Sequence, residues 1–439
     1  MAFNFATFLQ RSTILNSLFC LIPLSFIAGN LILNVNIVLL IIFSLIFFKD
    51  EIKAHKFDSL EKLLIIFFVF TIFTALVNNI HIHFIDKEHE NRVVIPKTLA
   101  FLRYMLLFFV VKFLVENKII KFRFFFISCS ILSLFVSIDI FYQYIFGKDI
   151  FGFEAVNRKL SGPFGDELIA GSYLQRFSFF SFFLVPIFFK LKNKKYLFFL
   201  IPFLFLIYFS AMILAGNRMS LILFLFISLL VIIFEKSTRK YFFIFSLVAP
   251  VIFFSVISLN QQIQTNFKVF YNQIINIPEI IFSEKITNKE ISENYNLPSH
   301  VKEFKTFYHT WLMNKYIGGG IKSFRRNCHD RASIDKTTDF ICNMHPHNYY
   351  LEILADLGVI GFLIISIIFL IIFIKSFVKK YFFSSSLKSM HVITPFIFLY
   401  IAEIFPLKST GSIWTTGNAT YLFLIMAIIV GLTKLKELN

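Results

Sequence analysis

An all-α polytopic membrane protein, with about twelve transmembrane helices and one large external loop, is the fold class that three features of this chain predict. Hydrophobic residues make up 57% of its 439 residues, 65 residues are Phe, and charged residues reach only 16%. A soluble protein of this size carries nearer a quarter charged residues. The apolar residues also come in runs of 17 to 25, the length that crosses a hydrocarbon core of roughly 30 Å. Finally, a single stretch between those runs is both long and polar.

The runs place spans near 12–29, 31–48, 63–79, 98–115, 124–145, 168–189, 196–214, 218–235, 241–259, 349–374, 390–406 and 418–433. The first leads straight into the second across Gly29-Asn30, so a retained helical hairpin is expected there and not a cleaved signal peptide. With the N-terminus inside, the cytoplasmic segments hold 22 of the Lys and Arg residues and the short opposite loops hold 8. The positive-inside rule then puts both termini in the cytoplasm. The net charge of +17 is accounted for by topology, which argues against a nucleic-acid partner and makes membrane lipids the expected surroundings.

Three regions follow: residues 1–259 with nine spans, 260–348 as the large external loop, and 349–439 with three more spans. A connection of 89 residues is uncommon in a compact protein unless it folds and serves a function. Within it, "VKEFKTFYHTWLMNKYI" (301–317) reads as an amphipathic helix, with Phe304, Tyr308, Trp311, Leu312 and Tyr316 at helical spacing, ended by Gly318-Gly319-Gly320.

Cys20 and Cys129 lie inside apolar runs, where packing is expected. Cys328 and Cys342 both fall in the external loop, and in an oxidising compartment they are expected to pair. The competing reading is a metal site, with His329, His345 and His347 nearby. Neither Cys-x-x-Cys nor His-Glu-x-x-His spacing is present, so no metal is assigned.

Two motifs are set aside. "GGGIKS" (318–323) lacks the upstream Gly and the Gly before Lys that a phosphate loop requires. Asp166 and Glu167 are adjacent, so their side chains point apart on any regular element. Charges inside spans are more informative, because they are costly there and usually functional. Arg103 and Arg176 fall within the fourth and sixth spans; for each, a partner carboxylate or a reach to the interface is the competing explanation. Arg218 occupies the tight turn "LAGNRMSLILF" (214–224), on the external face with little nearby to neutralise it.

The stretch "HPHNYYLEILADLGVIG" (345–361) puts two histidines directly before a span. If a helix starts near His347, then Leu351, Leu354, Gly358 and Gly361 recur on one stripe, and the glycines let a neighbouring helix approach. His347 then stands at the membrane surface, where an imidazole suits a general base. Asn348 and His345 are placed to orient it, and Pro346 separates His345 from the helix. An interfacial histidine with packing glycines is the plainer alternative.

These residues resemble the signature of the O-antigen ligase and O-antigen polymerase superfamily: His347-Asn348, nine residues, then Gly358-x-x-Gly361. "RKLSGPFGDELIAGSYL" (158–174) is similar to that family's loop before a middle span, "GNRMSL" (216–221) to its Gly-x-Arg turn, and "YIGGGIKSFRRNC" (316–328) to the glycine-rich end of its large loop. One departure is that family members often carry a further arginine early in the loop helix, where this chain has His300, Lys302 and Lys305. The resemblance implies a bacterial inner-membrane glycosyltransferase with a periplasmic loop and a glycan donor on undecaprenyl diphosphate. The acceptor would be a lipid A–core hydroxyl or, in a polymerase, another lipid-linked glycan. His347 is then the base and Arg218 the cation for the departing diphosphate. Arg158, Arg176, Asn348, Arg325 and His300 are candidate substrate contacts, and no cofactor is implied. A relative that glycosylates proteins falls in the same class. A transporter of glycan lipids is the reading from another class, but the broken helices and repeated halves of transporters are not evident.

Overall fold

The computed structural model describes residues 5–83, 94–155, 160–189, 195–236, 238–258, 299–330, 342, 344–383, 387, 390–409 and 411–435, with scattered positions between 261 and 275. Most of the large loop expected over 260–348 therefore lies outside the described residues. What is described is helical throughout its long segments.

Eight of the described helices are long and apolar enough to cross a membrane: Asn30–Phe47, Ser59–Asn79, Val94–Glu116, Phe122–Phe146, Tyr196–Leu214, Arg239–Ser258, Tyr349–Phe383 and Thr416–Leu435. The other four expected spans are shorter or divided, for local reasons. The first splits into Phe5–Cys20 and Ile22–Ile27, because Pro23 suits the first turn of a new helix. The sixth splits at Ser178 into Ala170–Phe177 and Phe179–Phe188. The eighth, Arg218–Phe234, has 17 residues. The eleventh, Ile393–Glu403, stops ahead of Pro406, since the residue before a proline is pushed out of helical geometry.

Packing between these helices rests on close contact, because lipid chains are as apolar as the side chains. Thr416–Leu435 is the central element, 83% buried. It lies so close to Val94–Glu116 that a Cβ on Gly431 would come within 2.8 Å of Val115. Phenylalanines fill the gaps between helices, as where Phe205 stacks on Phe182 at 4.3 Å and on Phe245 at 3.8 Å. At the end of the bundle near the C-terminal Lys434, buried Lys112 pairs with Glu61 at 2.6 Å and Glu116 at 3.0 Å. Lys434 reaches Asp58 at 2.9 Å. The candidate site occupies the opposite end.

Candidate functional site

Asn348 starts the Tyr349–Phe373 helix. Its Oδ1 accepts from the backbone N–H groups of Tyr350 (3.0 Å) and Leu351 (3.2 Å), while its Nδ2 donates to the Pro406 carbonyl at 2.7 Å. It is an N-cap that also fastens the helix to the turn after Ile393–Glu403. Its neighbour His347 takes a left-handed conformation, φ +55°, which is uncommon for a residue other than glycine.

His345, which Pro346 separates from the helix and which was expected to help orient His347, lies beside it, with ring centroids 4.4 Å apart; the buried Pro346 and the left-handed His347 form the turn between them. The Nε2 of His345 is buried without a hydrogen-bond partner among the described residues. Burial, then the charge of His347, push the His345 pKa down to about 4; Glu303 opposes this, while Arg325 and Lys322 add to it. The two histidines thus sit in a half-buried, cation-rich setting.

The loop segment 315–324 builds that setting, and it does so through the glycines. The Tyr349–Phe373 helix is broken at Gly358 (φ +64°, ψ −171°). Four backbone groups lose their helical partners at such a break, and each finds one in the loop. Gly319 and Gly320 donate to the carbonyls of Ala355 (3.1 Å) and Asp356 (2.7 Å). Val359 and Ile360 donate to Lys315 (2.9 Å) and Tyr316 (3.2 Å). Irregular backbone at this depth requires this complete satisfaction. A Cβ on Gly358 would fall 2.2 Å from the Tyr316 carbonyl. The expectation that Gly358 and Gly361 form a helix–helix contact stripe is therefore corrected: Gly358 admits loop backbone, and Gly361 faces its own Leu357.

Asp356 completes the stitching. Its carboxylate accepts from the N–H groups of Lys322 (2.8 Å), Ser323 (3.0 Å) and Phe324 (3.3 Å), from Ser323 Oγ (2.8 Å) and from Trp414 Nε1 (2.7 Å). Glu352, one turn earlier, accepts from the Ile413 N–H at 2.8 Å. Lys322 is thereby planted in a left-handed conformation, φ +60°. Burial and then Arg325 hold its ammonium below the ordinary lysine value, against Glu352 and Asp356. Neither carboxylate nor Lys322 was singled out in the sequence. Two acids four residues apart in an apolar run are a cost, and that cost was the available signal.

The loop helix Ser299–Leu312 covers this assembly, facing the opposite way from its apolar stripe. Glu303, Thr306, Phe307 and Thr310 are buried, while Phe304, Tyr308 and Tyr316 are exposed. Phe307 stacks on Phe324 at 3.7 Å in a small core with Cys328, Cys342 and Ala355. Cys328 and Cys342 are joined in a disulfide, Cα–Cα 5.8 Å. The backbone of His300 belongs to the helix, but its side chain lies outside the described residues, as does Arg158.

The short helix Ala170–Phe177 links the remaining candidates. At one end Gly171 donates to Asn217 Oδ1 at 3.1 Å, clasping the turn that carries half-buried Arg218. At the other, Arg176 donates to Glu403 Oε1 (2.7 Å), Asn418 Oδ1 (2.7 Å) and the Tyr349 hydroxyl (3.4 Å). Glu403 also pairs with buried Lys408 at 2.8 Å. Burial pushes the Lys408 pKa down to about 8, and Glu403 opposes that shift. Arg176 is thus tied to Tyr349, two residues after His347. Arg103, by contrast, donates to the Ala100 carbonyl at 2.6 Å and to Tyr104 Oη at 2.7 Å, and lies over that ring.

Comparison with known families finds that residues 203–366 match the model described as O-antigen ligase. The matched stretch runs from the helix before Arg218 through the loop and past the break at Gly358 to residue 366. Comparison with curated proteins found no match.

Proposed function

We propose, for a chain that belongs to the O-antigen ligase superfamily through residues 203–366, that it transfers a glycan from undecaprenyl diphosphate to a lipid A–core hydroxyl on the periplasmic side of a bacterial inner membrane. The acceptor oxygen attacks the anomeric carbon, the bond from that carbon to the diphosphate oxygen breaks, and the anomeric centre inverts. His347 takes the hydroxyl proton. Arg218 meets the charge left on the diphosphate, since a guanidinium matches phosphate oxygens through a two-pronged fork and stays charged. Arg325 and Lys322 add positive potential beside the histidines, with Arg158 and His300 as further contacts to the glycan lipid. Fixed cations of this kind stabilise developing charge without reorganising.

The observation that supports this reading most is the setting of His347, in a left-handed backbone conformation beside His345 and close to Arg325 and Lys322. A general base at such a place meets a membrane-held donor from one side and a loop-admitted acceptor from the other. A polymerase would use the same chemistry on another lipid-linked glycan. The test is Arg218→Lys, which keeps charge and loses the fork. Transfer should fall by about tenfold or more while the protein still inserts. Activity near the native level in both Arg218→Lys and Arg218→Ala would leave Arg218 merely interfacial.

A further inference from the structure

Two buried aspartates come together where the Phe122–Phe146 helix ends, and neither takes part in the site described above. Asp139 belongs to the last turns of that helix, and Asp149 to the turn that follows it. Their exposures are 0% and 2%, so water does not solvate either charge. Each spends one carboxylate oxygen on the turn. Asp139 Oδ1 accepts from the Ile150 N–H at 2.8 Å, and Asp149 Oδ1 accepts from the Phe153 N–H at 2.7 Å. The other oxygen of each, Oδ2, is buried with no hydrogen-bond partner among the described residues. Asp149 is close enough for its charge to act on that of Asp139.

No described cation answers these two charges. Lys148, beside Asp149 in the chain, is committed to exposed Glu154 at 3.3 Å. A buried carboxylate without a partner is costly, and two near one another repel. The surroundings are built from oxygen donors. Residues 139–165 contain neither Cys nor His. Gln143, fully buried one turn after Asp139, accepts from the Gly162 N–H at 2.9 Å and donates to the Phe153 carbonyl at 3.3 Å. Gly162 brings loop backbone against the helix, where a Cβ would stand 3.9 Å from Asp139 Oδ2. Carboxylate and carbonyl oxygens, without sulfur or imidazole, are what a hard cation selects.

We infer that Asp139 and Asp149 hold a divalent cation of the magnesium or calcium class, which fastens the 148–154 turn to the end of the Phe122–Phe146 helix. Two carboxylates are a usual protein share for magnesium, and calcium takes carbonyl oxygens as well. The inference is independent of the glycosyl transfer proposed above and adds no step to it. Its effect is on position. Residues beyond this turn lead into the Ala170–Phe177 helix, which clasps the Arg218 turn through Gly171 and Asn217.

Thermal unfolding of the whole purified protein in detergent tests this, after chelator treatment and at an ionic strength fixed with sodium chloride. Calcium or magnesium chloride should raise the melting temperature by about 3 °C, since an ion bound by the folded chain alone stabilises it. Equilibrium dialysis with whichever salt shifts it more should find one ion per chain. Asp139→Asn and Asp149→Asn should each lose the shift and weaken binding about tenfold or more, because affinity follows ligand charge. Without divalent salt, Asp149→Asn should melt no lower than the stripped native protein, as it removes one of two repelling charges. Glu154→Gln, exposed on the same turn, should keep both the shift and the binding. No shift with either salt, or an equal shift in native and Asp149→Asn protein, would overturn the inference. So would a stripped native protein that ignores both salts but melts higher as pH falls from about 7 to about 5, because the pair would then share a proton. None of these readings depends on transfer activity, so their failure leaves the proposed function standing.

Discussion

His345 meets two conditions that oppose its carrying a proton, burial and the neighbouring imidazole of His347. Its pKa of about 4 lies below the ordinary value near 6.5. Between those values the folded chain keeps His345 neutral while the unfolded chain binds a proton. Stability contributed by the neutral ring is therefore complete above pH ~6.5 and falls as pH drops toward ~4. Thermal unfolding in detergent should show a larger loss from about pH 7 to about pH 5 for the native protein than for His345→Gln. Equal losses would mean that His345 is not the group responsible. The same packing changes what His345→Ala is expected to do to activity. With the rings in contact, the substitution loosens His347, so its effect should be smaller than that of His347→Ala yet measurable.

At the scale of elements, the break in the Tyr349–Phe373 helix is the feature on which the site depends. Gly358 occupies a backbone region that is essentially restricted to glycine, with strain of about 1–3 kcal/mol for other residues. Any Cβ there also strikes the Tyr316 backbone. Gly358→Ala should therefore lower the yield of folded protein several-fold and slow cross-linking of Cys328 with Cys342, measured by non-reducing peptide mapping. A fully folded, active Gly358→Ala protein would show that loop and helix are not stitched as described. This break was hidden in the sequence, because a glycine inside an apolar run has the same signature whether it admits a helix or a loop strand. The runs themselves were legible, since length and hydropathy mark Asn30–Phe47 or Thr416–Leu435 without tertiary context. The sense of Ser299–Leu312 was not. Its aromatic stripe suggested the buried face, but the helix is turned so that Phe307 packs on Phe324 with Glu303, Thr306 and Thr310 buried beside it, while Phe304 and Tyr308 stay exposed.

For the whole molecule, the division of charge predicts sidedness. Both termini and the Lys112–Glu61–Lys434 cluster belong on the cytoplasmic side, and the histidine mouth on the other. Tyr316→Cys, at an exposed position, should react with a membrane-impermeant maleimide in intact spheroplasts. Glu51→Cys should react only after permeabilisation. Labelling in the reverse order would invert the topology and remove the periplasmic mechanism with it. The positions of His347 and Arg218 at the starts of helices were legible in the sequence, because each precedes or opens a long apolar run. Glu352 and Asp356 were not, because inside a span their role as anchors for Ile413, Trp414 and the Lys322 turn becomes visible only when the loop is seen folded onto them.

The central claim is that His347 is the base in glycan transfer. Purified His347→Ala, compared with the native protein and His345→Ala, can be assayed with a synthetic undecaprenyl-diphosphate-linked glycan and a lipid A–core acceptor across pH. A base catalyst contributes about 10²- to 10⁴-fold. Turnover by His347→Ala should fall by that order while the protein remains folded, with His345→Ala losing less. Full turnover by folded His347→Ala, or a greater loss at His345, would contradict the account and leave His347 as part of the structural cap on the helix.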